Sequence, residues 1–265
     1  MNSRIMSGMM KNVMLSVLIS MCLCFSSLIP AAENHIKTSC IMPKSETEKL
    51  SSKNVDYDIL KHKVELLKSE VAPALGASKA KIYIIYFFDY RCDFFEKDAE
   101  NIVHLMKVRP EVRFIFKPYS TTVSNSNASH LMAVRGLQIW KSAGDEAWLT
   151  YQRVIAGLKH RSKILHVKDI NAAASFAIKG LKLKGGLVNP EKILTDNALL
   201  LHALSVHIHQ AFIVIPSDGA NLDNITVVPG TADERFLENA IVRSELIFTS
   251  PISSHFATQK EEGKG

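Results

Sequence analysis

The sequence predicts an α/β fold, a core interrupted by a block of helices, and three observations predict it. Residues 82–88 (IYIIYFF) are an unbroken run of β-branched and aromatic residues at strand length. That is the composition of a central strand buried on both faces. Residues 112–117 (VRFIFK) read as a second strand after a helix-compatible stretch, stopped by Pro118. Residues 211–215 (AFIVI) and 225–228 are joined through 217–224, whose Asp218-Gly219 pair makes the turn of a hairpin.

The chain has 265 residues, 47% of them hydrophobic, which is ample for a core. Arg4 and Lys11 form a basic start, residues 13–29 are apolar and uncharged, and Pro30-Ala31-Ala32 is a small-residue exit. Together they predict a secretory signal over residues 1–32, cleaved near Ala31 or Ala32. The alternative, an uncleaved anchor, needs roughly 20 apolar residues, and this stretch is slightly short. The expected location is therefore export to a bacterial periplasm, with membrane association left open. Without Arg4 and Lys11 the chain carries 30 basic and 26 acidic residues, a balance of +4. The basic residues are dispersed, which gives no case for nucleic-acid binding. No nucleotide fingerprint is present, since Gly185-Gly186 alone means little, and no cofactor is implied.

Residues 33–53 are polar and expected to be loose. A helix is expected over residues 54–71, with an apolar seam of Tyr57, Leu60, Val64, Leu67 and Val71. The seam either packs on its own domain, the slightly favoured reading, or forms a homodimer contact, for which two heptads are marginal. Pro73 and Gly76 punctuate the approach to the central strand, so residues 54–75 are read as an N-terminal helix and its exit. After Cys92 a helix runs to about Val108, ended by Arg109-Pro110. Residues 125–206 read as a helical insertion, with breaks near Gly144-Asp145, near Lys168-Asp169 and at 185–190. Trp140 and Trp148 are expected to be its packing residues. Thr231 and Glu234 have capping-box spacing and open a last helix to about Ile247. The core is thus assigned to 76–124 and 207–248, and residues 249–265 to a disordered tail.

Four blocks resemble one known family. Pro73-Ala74-Leu75-Gly76, Phe87-Phe88-Asp89-Tyr90-Arg91-Cys92, Phe116-Lys117-Pro118 and Val228-Pro229-Gly230 are similar to blocks of the DsbA-type thiol–disulfide oxidoreductases. They follow that family's order and approximate spacing over residues 55–247. The resemblance implies a thioredoxin-like core with a helical insertion. It also implies an active site after the first strand resembling C-P-x-C, where the first cysteine attacks and the second resolves.

Here the matching run is Cys92-Asp93-Phe94-Phe95. The attacking thiol is present and Phe95 stands where the resolving thiol belongs, so the chain is expected neither to cycle between an internal disulfide and a dithiol nor to oxidise substrates as the family does. The buried acid that the family carries on the strand is replaced by Tyr86, leaving its usual companion Lys117 alone. The family's cis-proline position holds Gln210, within Ile208-His209-Gln210-Ala211-Phe212. A non-proline cis bond costs about 2.5–4 kcal/mol, so the bond before Gln210 is expected to be trans. Asp93, Phe94, Lys117 and His209 are expected to line the cleft.

Cys22 and Cys24 leave with the signal, so Cys40 and Cys92 remain. They pair with each other, pair between chains, or stay free; sequence does not choose. Cys92 is then a vestigial thiol, a covalent link to Cys40 or a partner, or a monothiol nucleophile. The helix end favours its thiolate, while burial and Asp93 oppose it. His202, His207 and His209 cluster before the third strand, but no second cysteine or acidic pair joins them, and no metal is expected. Losing cysteine, acid and proline together predicts a non-catalytic binding or assembly component of the cell envelope. Its expected partners are envelope or secretion-complex proteins, or extended peptide segments. The alternative is a monothiol reductase or isomerase working through Cys92.

Overall fold

In the computed structural model, the described residues are 53–92, 95–120, 128–162, 164–183, 189–206, 210–231 and 233–249. The expected signal, nearly all of the N-terminal segment expected to be loose and the expected tail, residues 250–265, lie outside them. Among the described residues the order is α1 (Lys53–Lys61), α2 (Lys63–Leu67), β1 (Ala74–Gly76), β2 (Ile82–Phe88), α3 (Phe95–Val108) and β3 (Arg113–Pro118). Then come α4 (Ala128–Ala143), α5 (Asp145–Arg161), α6 (Val167–Ala177), α7 (Pro190–Ala203), β4 (Gln210–Pro216), β5 (Thr226–Pro229) and α8 (Glu234–Thr249). All of them fall in one compact unit.

The five strands form one mixed sheet in the order β1-β3-β2-β4-β5. β2 is parallel to β3 and antiparallel to β4, while β1 and β5 pair antiparallel at the edges. The alternation of β2 divides the core. Ile84, Tyr86 and Phe88 face a large cluster with α3, α4, α5, α6 and α8. Ile85 and Phe87 face a smaller one with Val55, Ile59, Leu66, Leu201 and Leu204. A strand covered on both faces must be apolar at every position, which is why its sequence shows no alternation.

β1 is a strand that the sequence reading treated only as punctuation. Three residues carry no periodic signal, and its pairing is supplied by β3 alone. Gly76 ends it at φ +89°, where an added Cβ would lie 2.0 Å from the Val112 carbonyl oxygen. Only glycine permits that approach.

Three helix boundaries differ from expectation. The helix expected over 54–71 breaks at His62 into α1 and α2. Val55, Ile59 and Leu66 pack inward, whereas Tyr57, Val64 and Val71 of the expected seam are 67%, 69% and 46% exposed. Leu60 and Leu67 of the seam pack half-buried against the same cluster, so the seam lies partly on its own domain and partly in the open. The break placed near Lys168-Asp169 falls earlier, before α6. Asp169 lies inside that helix and its carboxylate accepts the His166 N–H at 3.2 Å, a reciprocal cap rather than a stop. α8 is opened by Asp233 rather than Thr231: Asp233 Oδ1 accepts the Arg235 N–H at 2.9 Å. That hydrogen bond, the largest favourable cause, lowers the Asp233 carboxyl below its usual range.

Candidate functional site

β2 delivers the chain to a tight turn at the end of the central strand. The Cys92 N–H donates to the Asp89 carbonyl at 3.0 Å, closing a four-residue turn. Asp89 is 1% exposed, and its carboxylate accepts both the Arg91 N–H and the Arg91 Nε–H at 2.9 Å. Aspartate favours the first position of such turns because its side chain can cap the amide two residues on. Cys92 is fully buried. The turn hands over to α3, whose amino end favours negative charge near Cys92.

Cys92 is in a disulfide bond, and it is the sole cysteine among the described residues. Its partner lies outside them. Lys159, in the last turn of α5, reaches the turn from the insertion. Its ammonium donates to the Tyr90 carbonyl at 2.6 Å and to the Cys92 carbonyl at 2.9 Å. Tyr90 is buried, and its hydroxyl exchanges hydrogen bonds with the Gln152 carboxamide, at 2.8 Å to Oε1 and 2.6 Å from Nε2. Burial pushes the Tyr90 phenol well up. Gly136 makes room for this pair, since a Cβ there would sit 3.2 Å from the Tyr90 hydroxyl.

Beneath the turn, Tyr86 stacks between Phe88 and Phe212 at 5.0 and 4.2 Å. Its hydroxyl donates to Asp98 Oδ2 at 3.0 Å. Asp98, on α3, is fully buried. Burial first, then the Asp98 charge and hydrogen bond, push the Tyr86 phenol well above its ordinary value. An apolar pocket of ≈ 30 Å³ opens between Tyr86, Phe116, Trp148 and α3, with Gln152 and Arg153 at its rim. It has room for water and far too little for a ligand that needs some hundreds of Å³.

No family model matches the chain, and no curated protein matches it. Solved structures do. BcfH of Salmonella enterica Typhimurium superposes with a TM-score of 0.57 at 22% identity, over 91% of this chain and 93% of that one. A periplasmic thioredoxin-like protein of the same serovar gives 0.53 at 18%, over 69% and 94%. The thiol-disulfide exchange protein alpha-DsbA2 of Wolbachia pipientis gives 0.50 at 15%, over 77% and 100%. The fold is DsbA-type and thioredoxin-like.

Within this DsbA-like frame, the expected site residues separate. Tyr86 and Cys92 lie along one β2-to-turn path. Gln210 pairs with Phe88 in register at the mouth of β2 and β4, and its carbonyl accepts the Gly230 N–H at 2.7 Å. Its side chain is 1% exposed, and neither amide atom has a hydrogen-bond partner. Lys117 is a correction. It pairs with Phe87, not Tyr86, and its Nζ donates to the Glu65 carbonyl at 3.3 Å under α2. It is thus on the opposite face of the sheet, neither a companion of position 86 nor a cleft residue. Asp93, Phe94, His209 and the Phe95 side chain lie outside the described residues, as does the peptide bond before Gln210. His202 is on the exposed side of α7, and the described residues contain no group able to hold a metal.

Asp98 and Lys159 also stand against this strand and turn, and sequence reasoning missed both. Asp98 is in helical phase with buried Ile102 and Leu105, and Lys159 with buried Gln152 and Ile155. A charge on an apolar stripe was the legible signal in both cases.

Proposed function

We propose that this chain is an exported thiol–disulfide exchange protein whose resolving cysteine is Cys40, remote in sequence from the attacking Cys92. The observation that carries the reading is the disulfide of Cys92, in a chain with Phe95 at the motif position. Cys22 and Cys24 belong to the expected signal, which leaves Cys40. The periplasmic thioredoxin-like protein among the structural neighbours supports the same compartment.

In the reducing direction, the Cys92 thiolate attacks a substrate disulfide and releases one substrate thiolate. The Cys40 thiolate then attacks the Cys92 sulfur, releasing the second and closing Cys40–Cys92. The substrate gains two electrons, and an external dithiol donor must restore them to the protein. Gln210 supplies a buried, unused amide near the site for the backbone of an extended peptide. Leaving such a group unpaired costs on the order of 1–3 kcal/mol, so a polar occupant has something to gain there.

A second reading has its own support. Cys92 has no exposed surface, which suits a structural staple in a non-catalytic envelope binding or assembly component. The exposed stripe Tyr57, Val64 and Val71 would then serve a partner or a second copy.

Insulin reduction and repair of scrambled ribonuclease by the purified exported chain separate the readings. Exchange abolished by both Cys92→Ser and Cys40→Ser supports the proposed pair. Activity lost only with Cys92→Ser indicates a monothiol enzyme. An inactive wild type, with cellular function intact in Cys92→Ser, leaves the binding reading.

A further inference from the structure

Lys159 has a role that the fold alone does not assign. Lysine side chains are usually solvated and mobile. This one is instead held by two short charge-assisted hydrogen bonds, both to carbonyls of the turn that carries the attacking sulfur. One of those carbonyls belongs to Cys92 itself, the residue that carries the sulfur. The other charges of the turn, Asp89 and Arg91, neutralise each other in a close ion pair. Tyr90 remains a neutral phenol because burial pushes its ionisation up. Lys159 is the cation that α5 brings to this turn, and Asp93, next to Cys92 in the sequence, is the acidic neighbour whose charge works against a thiolate there.

Resting on the exchange reading of Cys92, we propose that Lys159 is a positioning residue that stabilises the Cys92 thiolate and ties the sulfur's poise to the helical insertion. When the Cys92 thiol gives its proton to solvent, the new negative charge forms on a residue whose carbonyl already holds the Lys159 ammonium. In the disulfide the sulfur carries no charge, so the ammonium gains nothing from it. The effect falls on the reduced form alone, which is the condition for tuning a redox couple.

The test is the pH dependence of Cys92 alkylation in the reduced chain, followed by the mass of the Cys92 peptide so that other cysteines do not contribute. For one charge in a partly buried site, Lys159→Met is expected to raise the midpoint by about one pH unit. That is a tenfold loss of thiolate at neutral pH. Lys159→Arg keeps the charge and is expected to hold the midpoint near wild type. A folded Lys159→Met protein with an unmoved midpoint overturns the proposal. So does an arginine variant that shifts like methionine, because packing rather than charge would then be responsible. The alkylation midpoint is read without substrate. A shift as expected in a chain that fails to reduce insulin therefore supports the role of Lys159 while the exchange reading falls.

Discussion

Lys117 places an ammonium on the apolar lower face of the sheet, 2% exposed, with a single carbonyl contact at 3.3 Å. Burial drives its pKa down from 10.5 to about 8, partly offset by the attraction of Glu70. The unfolded chain holds this proton more tightly than the folded one. Stability therefore rises as pH goes from about 8 towards 10, because only the folded state has released the proton. Above 10 the sign reverses. The phenols of Tyr86, Tyr90, Tyr119 and Tyr151 are all pushed up by burial, and the unfolded chain ionises them first. Urea unfolding should thus show a maximum near pH 10. Lys117→Met should remove the rise between 8 and 9.5 and stabilise the protein at pH 7 by up to about 3 kcal/mol. An unchanged slope in that variant would mean the ammonium is solvated after all.

At the scale of elements, α1 and α2 show both what sequence can say and where it stops. Two apolar stripes are interleaved there, and spacing alone cannot tell which one faces the core. The stripe through Val55, Ile59 and Leu66 won because the break at His62 lets each short helix lie on the lower face of the sheet. The other stripe, Tyr57, Val64 and Val71, is left in the open. The proposed homodimer contact is testable by sedimentation. Val64→Glu should shift the chain to its monomer mass without loss of thermal stability, since the side chain is 69% exposed. A wild type that is monomeric at every concentration would sink the contact. Elsewhere the same limit recurs. β2 and α3 were legible because long runs of one type leave no alternative, as IYIIYFF does. Lys117 was misplaced because register, not composition, decides its face: position 86 pairs with 116, so 117 must point away. Asp98 was missed because the resemblance directed attention to the strand, whereas here the buried acid beside position 86 comes from the helix.

For the molecule as a whole, a remote second cysteine would change what the disulfide contributes to stability. A motif with cysteines three apart closes a tiny loop, which adds about 2 kcal/mol of stability in the chain-entropy account. Pairing Cys40 with Cys92 would close about 50 residues and add about 4 kcal/mol. This is a folding free energy: the unfolded chain loses the same entropy when the bond forms, so loop length raises the stability of the oxidised chain over the reduced one without setting the reduction potential. The oxidised form should be the more stable one. Urea unfolding of the oxidised and reduced chains should differ by about 3–4 kcal/mol in favour of the oxidised form, with Cys40→Ser behaving like the reduced protein. If the reduced chain proves equally stable or more so, the sulfur of Cys92 is not closing a long loop, and the proposed pairing with Cys40 is lost.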